Sequence, residues 1–535
     1  MTAIDAAGYP PSPSRGGAAW LRPTLALGLI VAADVLLFDQ PHGIGWFLMA
    51  FLLAAGIVAT HPLSVKERGF AKKAALPFLA LLPLIENVSS LSLIIAAIAL
   101  AAFALSCSGR RRGGISRMAG QLVVFFVAAP FRWTADITAR LALHKRMGGE
   151  RIAVAGLLTW VMPAVIGGAF IALFSLANPV VEYWLSLIDI PAWLARMDIA
   201  RVGFWIASAC AAWALLRPRL PRWLHRTCVL RAAVHRTPAP LPASLSQALF
   251  GRAALLRALL LFNAIFAVQT VMDAIYLWGG VALPDGVTYA SYAHRGAYAL
   301  IATALLAALF VLLAMRPAGA ASEDRLIRNL VYVWTAQNVW LVLSSILRLD
   351  LYVSIYSLTY WRIAAFLWMG LVATGLILII ARIALRKSNE WLLSANLLTL
   401  SSLLYACCFI NFAAFIASYN VDHAAEITGN SLEIDVSYLR QLGPPAFPAI
   451  DRLLAATPQN RLCAYDMERG EDFCLSATRA GDELAFREAA ANWRSWSVRN
   501  WRMLRYLDTQ ALVSTQHGVA PPTERDNAAS YSGRR

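Results

Sequence analysis

The chain has 535 residues, of which 59% are hydrophobic and 15% charged, against about 45–50% and about 25% in a soluble domain. The formal net charge is +16 and the mean hydropathy +0.58. These values exclude a disordered chain, a fibrous repeat and an ordinary soluble enzyme, and they point to lipid as the main solvent. From Asn420 onward the chain carries 13 Arg, no Lys and 15 acidic residues, so the positive excess sits in the apolar part. A pI near 9.8 would suggest nucleic acid in a soluble protein. Here the positive-inside rule accounts for it, and no nucleic-acid partner is expected.

Residues 1–20 are rich in Pro, Gly, Ala and Ser and read as a disordered cytoplasmic N-terminus with no apolar core of a cleavable signal. Eleven apolar runs follow, each bounded by charge or turn residues: Pro23–Phe38, Gly43–Thr60, Ala74–Ile85, Leu91–Cys107, Ile152–Leu176, Val202–Leu216, Ala253–Trp278, Ala297–Met315, Leu330–Leu347, Ile363–Ile383 and Trp391–Ala417. A spanning helix needs about 20 mainly apolar residues. The two short runs are expected to lengthen, the third by borrowing Glu86–Ser90 and the sixth by starting near Ile199. The first run is read as a retained anchor. The fold class expected is all-α, a polytopic transmembrane bundle of about eleven spans.

Loop charge sets the threading. With the N-terminus inside, the inner segments hold 29 Lys and Arg, and the outer loops before the tail hold five: Arg196, Arg201, Arg295, Arg348 and Arg362. This split predicts an N-in, C-out protein of a plasma membrane. The membrane part divides into residues 21–216, with a basic inner loop at 108–151, and residues 253–418. A basic, Pro-containing linker, residues 217–252, lies between them. In the 108–151 loop, Gln121–Pro130 is too short to cross and is expected to lie on the inner leaflet, with Arg132, Arg140, Lys145 and Arg146 facing headgroups.

Residues 419–515 are expected to form a small, mainly helical extracytoplasmic domain, and 516–535 a flexible tail. Asp482–Leu512 reads as one long helix in which Trp493, Trp496 and Trp501 alternate with Arg494, Arg499, Arg502 and Arg505. Such a helix either packs on its own domain or rests on the outer membrane surface. Cys463 and Cys474 fall in this tail, and an oxidising compartment would let them pair.

No phosphate loop, H-E-x-x-H, G-x-S-x-G or zinc-spaced Cys/His cluster occurs, and the eight His are scattered. No cofactor, metal or catalytic residue is therefore assigned, and the reading leans away from an enzyme. Polar residues inside spans are the remaining clue, because each is costly in lipid. Gln269, Asp273 and Tyr276 share a helix face. Near the same outer level fall His294, Arg295, Arg348, Asp350, Arg362 and Asn411. Asp273 pairs either with Arg295 or with Arg348 to hold helices together, or the cluster lines a polar cavity open to the outside. Asp34 and Glu86 are isolated carboxylates that read as helix-end groups or proton sites.

Three stretches carry a resemblance. Tyr289-Ala-Ser-Tyr292-Ala-His-Arg295-Gly296 resembles an aromatic-x-x-Tyr-x-x-Arg-Gly element. Tyr356-Ser-Leu358-Thr359-Tyr-Trp-Arg362 resembles a second, usually Tyr-Gly-Leu-Thr-x-x-Arg, with Ser357 in place of its Gly. Asp435-Val-Ser-Tyr438-Leu-Arg-Gln-Leu442 is similar to an Asp-x-x-Tyr-Leu-x-x-Leu pattern. All three belong to the domain-of-unknown-function 4153/4173 group of polytopic membrane proteins, over roughly residues 250–450. The resemblance implies a bacterial inner-membrane protein without an assigned activity, and brings no catalytic residues.

Three functions are therefore carried forward. The first is an accessory or sensory membrane protein whose tail meets an envelope partner. The second is a transporter using the Asp273/Arg295/Arg348/Arg362 cluster. The third is an enzyme acting on a lipid-linked substrate, disfavoured because the first outer loop is only Asp39-Gln-Pro-His42. The lipid bilayer is a partner in each.

Overall fold

The computed structural model describes residues 17–61, 70–108, 115–133, 135–136, 162–163, 166–167, 170, 198–218, 252–279, 306, 324–429, 433–457, 462–466 and 470–516. It is all-α apart from one hairpin among these residues. Six helices are long and apolar enough to cross a membrane, and seven if one bent pair counts as a span. The expected runs Ile152–Leu176 and Ala297–Met315 lie almost entirely outside the described residues. The chain divides into two units, residues 1–112 with 117–222, and residues 113–116 with 223–535.

The first unit contains α1 (Gly17–Leu37), α2 (Ile44–Thr60), α3 (Phe70–Leu81), α4 (Pro83–Glu86), α5 (Ser90–Cys107), most of α6 (Ile115–Ala128) and α7 (Ile199–Leu216). Ile57, Leu81, Leu84, Ala101, Ala104 and Phe125 form its core, while Val31, Val35, Phe51 and Ile206 stay exposed. Apolar faces left outside are what lipid as solvent requires. Gly56 lets α2 approach α7 closely, since a Cβ there would stand 3.1 Å from Leu216 Cδ2.

Two expectations change here. The third run does not extend to Ser90. Its helix stops at Leu81, a short helix restarts at Pro83, and Asn87 is extended. Proline cannot donate to the preceding turn, and Ser89 caps α5 reciprocally with Ser92, so Ser90 belongs to the next helix. The sixth run does start at Ile199, with Asp198 as its N-cap. Arg132 does not face headgroups. It is buried, lies 4.9 Å over the Phe125 ring and donates to the Arg217 carbonyl at 3.3 Å. The ring and the carbonyl hold the guanidinium inside the unit. Arg140, Lys145 and Arg146 lie outside the described residues.

The second unit begins with α8 (Arg252–Asp273), which widens into a π-helical turn over Ala274–Trp278, and α9 (Arg325–Tyr356). A three-residue turn leads to α10 (Tyr360–Ala384), followed by α11 (Asn389–Cys407) and α12 (Phe412–Asp422). The run Trp391–Ala417 is thus not one straight span. α11 and α12 are bent by 70° at the break, where the Asn411 side chain accepts from Ala414 N and starts a new helix.

The C-terminal elements are α13 (Ala425–Thr428), α14 (Val436–Gln441), α15 (Phe447–Ala456), the hairpin β1 (Cys463–Asp466) and β2 (Glu471–Cys474), α16 (Leu475–Ala491) and α17 (Val498–Gln516). Asp482–Leu512 is not a single helix, because α16 ends at Ala491 and a 3-10 turn, Trp493–Ser495, intervenes. Asn492 takes extended backbone and its side chain accepts from Arg494 N, which ends one helix and opens the turn. Leu439, Phe447, Ile450, Leu453, Leu462, Leu475 and Leu507 form the core of this region. Val353 and Leu358, from the end of α9 and the turn after it, belong to the same core.

Candidate functional site

Two polar places stand out in the second unit. The first lies between α8 and α9. Helical spacing brings Gln269 and Asp273 onto one face, and Gln269 Nε2 donates to Asp273 Oδ1 at 3.0 Å. Arg348 Nη2 donates to the same oxygen. Asp273 is 0% exposed and Arg348 5%. Directly after Asp273 the helix becomes π-helical. Trp278 in that turn stacks on Trp340 at 5.0 Å and donates to Ser344 Oγ at 3.3 Å. Such turns insert a residue and often mark function. Tyr276 lies inside it, where the 3.6-residue register that grouped it with Asp273 no longer applies. Farther along, Asn263 Nδ2 bridges the helices by donating to Leu330 O at 3.2 Å.

The second place is the turn joining α9 and α10. Ser357 caps α9 with φ +67° and ψ 169°, a region that favours glycine strongly. The resemblance places a glycine at this position, and the backbone shows why. Arg362 closes the turn by donating from Nη1 to the carbonyls of Tyr356 and Ser357, and its guanidinium lies 4.7 Å over the Tyr352 ring. Leu358 is buried in the C-terminal core, and Asn420 of α12 clamps its backbone. Leu358 N donates to Asn420 Oδ1 at 2.7 Å, and Asn420 Nδ2 donates to Leu358 O at 3.0 Å. Tyr360 N donates to the Tyr438 hydroxyl at 3.1 Å. Tyr438 is itself positioned by Asp435, which accepts from Tyr438 N as the N-cap of α14.

A cavity of about 370 Å³ opens at this junction. Tyr356, Thr359, Arg362, Asn420, Glu433, Asp435 and Tyr438 line it together with Ile355 and Ser357. The second motif and the Asp435–Tyr438 pattern, 73 or more residues apart in the chain, thus form one wall-to-wall site. Two carboxylates, two phenols and a guanidinium around a small void suit recognition of a small polar group.

The candidate polar residues therefore divide. Gln269, Asp273 and Arg348 come together between α8 and α9. Arg362 belongs to the turn site with Tyr356, Leu358 and Thr359, Asn411 caps α12, and Asp350 is exposed. Tyr289, Tyr292, His294, Arg295 and Gly296 lie outside the described residues. Asp34 is held by Arg201 at 2.9 and 2.5 Å and by Trp205 Nε1 at 2.9 Å, a clamp between α1 and α7. Glu86 is buried at the end of α4. Cys463 and Cys474 face each other across the hairpin and are disulfide-bonded. Sequence reasoning misses Asn420 and Glu433. The signal for Asn420 is a lone amide within the apolar run Phe412–Val421; Glu433 carries none.

Residues 73–453 match the family described as Domain of unknown function (DUF4153). The chain belongs to the DUF4153 family. No curated protein and no solved structure matches it. The family region takes in α8 to α12, the Ser357–Thr359 turn, Asn420 and Tyr438, and reaches farther toward the N-terminus than the motifs alone imply. It ends within α15, so the disulfide hairpin, α16 and α17 follow it.

Proposed function

We propose that this DUF4153 protein is a non-enzymatic accessory or sensory protein of the bacterial inner membrane. Its C-terminal domain would meet a ligand or partner and pass that event to the membrane helices. One observation carries the reading: the turn between two membrane helices is built into the domain's own core. Leu358 fills that core and Asn420 grips its backbone from both sides. A change of state at the adjoining cavity would therefore move the ends of α9 and α10. α9 in turn carries Arg348, which holds Asp273 on α8. The 29-to-5 split of basic residues and the Cys463–Cys474 bond support an extracytoplasmic domain.

The test places a photo-crosslinking residue at Glu433, on the cavity wall, in the full chain in living cells. A discrete adduct with one envelope component, lost when the crosslinker sits at Lys387 after α10, is the expected result. The reading fails if Asp273→Asn, folded and present at wild-type level, abolishes uptake of a solute that wild-type vesicles accumulate. That second outcome belongs to a transporter, the alternative favoured by the buried Asp273–Arg348 pair beside a π-helical turn. An enzyme acting on a lipid-linked substrate has no specific geometry in its favour.

A further inference from the structure

The C-terminal region has an outward surface that its own fold does not use. α17 turns Met503, Tyr506 and Leu507 toward the core. Its other side and the elbow before it present Trp493, Trp496 and Trp501, each 42–54% exposed. Three indole rings left outside a domain with a complete core need a partner of their own.

The rings are held in place. In the elbow, Asn492 Oδ1 accepts from Arg494 N at 3.0 Å, Asn500 Nδ2 donates to Ser495 O at 2.9 Å, and Asn500 N donates to Ser497 Oγ at 3.1 Å. Ser495 and Ser497 are buried. A polar scaffold thus fixes the backbone from which Trp493 and Trp496 project. Arginines accompany the rings, Arg494 at 4.8 Å over Trp493 and Arg505 at 5.2 Å over Trp501.

Charge identifies the partner. Between Glu488 and Asp508 the chain has four Arg and no acidic residue, although from Asn420 onward acidic residues outnumber basic ones. A locally cationic, indole-rich face within an acidic domain matches an anionic, half-apolar surface. The phospholipid headgroup layer is such a surface, and Trp with Arg is the composition that settles there.

Position points the same way. Arg499 Nη2 donates to the Ile410 carbonyl at 3.3 Å, in the break where α11 gives way to α12. Phe409, Ile410 and Phe415 at that break are exposed. Trp361, in the first turn of α10, is 87% exposed. The Trp/Arg face is therefore continuous with the ends of helices that are themselves apolar enough to span.

We infer that Trp493, Trp496 and Trp501, with Arg494, Arg502 and Arg505, seat the C-terminal domain on the phospholipid headgroups of the leaflet at which α11 ends. The rings occupy the headgroup boundary and the guanidiniums engage lipid phosphates. The seating fixes the height of the domain, and with it the Ser357–Thr359 turn, relative to the bilayer.

The experiment uses the full chain in lipid discs of phosphatidylcholine, with and without a quarter of phosphatidylglycerol, carrying bromine either near the headgroup end or deep in the acyl chain. Tryptophan emission is compared between wild type and the triple variant Trp493→Phe, Trp496→Phe, Trp501→Phe, which keeps an aromatic ring at each exposed position. These are three of 18 tryptophans, so headgroup-end bromine should remove about a sixth of the wild-type emission beyond what it removes from the variant, whose other tryptophans are quenched alike. A second variant, Arg502→Gln with Arg505→Gln, should bring wild-type quenching in the anionic discs down to that in pure phosphatidylcholine. Equal quenching of wild type and triple variant by lipid bromine, with the three rings open to acrylamide in water, overturns the inference. So does protection of the rings in native membranes but not in lipid discs, which indicates a protein occupant. An arginine pair whose removal leaves quenching unchanged overturns the recognition of headgroup phosphate.

Discussion

Asp273 and Asp451 are each held by an arginine, but in opposite surroundings. Asp273 lies between two apolar helices, accepting from Arg348 and Gln269, with its side chain wholly buried. Asp451 lies on α15 and accepts from Arg479 through two bonds, at 2.8 and 3.0 Å, and from the Tyr506 hydroxyl at 2.8 Å. Arg479 also donates to Glu483 at 3.1 Å and lies 3.9 Å over the Phe447 ring. Glu483 in turn accepts from Arg487, which reaches Asp508. The second setting is a branched network open to water at its edge, tying α15, α16 and α17 together. The first joins one helix pair in a medium that tolerates no lone charge. Burial makes a pair expensive to break, and branching makes a network forgiving.

The largest effect should come from breaking the buried pair. Asp273→Asn leaves the Arg348 cation buried without its carboxylate, at a cost of about 3–5 kcal/mol. Thermal unfolding of the detergent-solubilised chain should show it, and adding Arg348→Gln should restore part of the loss. Full additivity of the two changes would show that the residues act separately. The network should prove milder: Asp451→Asn is expected to cost about 1–3 kcal/mol, because Arg479 keeps Glu483. Denaturant unfolding followed by the near-ultraviolet signal of the C-terminal aromatics would measure it, and a loss as large as that at Asp273 would erase the contrast.

A smaller effect has the opposite sign. Ser357 adopts a backbone conformation open to glycine at little cost, so Ser357→Gly should stabilise the chain by about 1 kcal/mol. A fall in melting temperature would mean that the serine side chain contributes more than its backbone costs. The last effect is read by pH. Burial first, and then its hydrogen bond to Asp451, push the Tyr506 phenol well above its usual value of 10.0. A pKa raised on folding means that the native state binds the proton more tightly. That stabilisation is complete below about pH 10 and is lost as pH rises beyond it. Tyr506→Phe should flatten the alkaline limb of the stability curve, measured by unfolding at pH 8 to 11.

Much of this is legible in the sequence itself. Apolar runs of bilayer length announce helices because lipid offers no partner for a backbone amide, and α1, α5, α8 and α10 lie where those runs fall. Asp273 is conspicuous because charge inside such a run demands a reason, whereas Arg348 falls just past the run Leu330–Leu347 and only the helix α9 carries it inward. The helix ends were harder to read. Local capping set them: Asn411 opens α12, Ser89 claims Ser90 for α5, and Asn492 breaks what composition presents as one helix.

Along the sequence, Tyr356–Arg362 and Asp435–Tyr438 are separate motifs, and Asn420 is an unremarked amide. The tertiary structure makes them one site, because Leu358 must leave water and the core that receives it is assembled largely from α12, α14 and α15. Hydropathy is a local property, so the sequence alone marked where the long apolar helices α1, α5, α8 and α10 fall. Which buried polar groups meet depends on packing between distant segments, and only the folded chain decided that Arg348 answers Asp273 while Arg362 closes a turn.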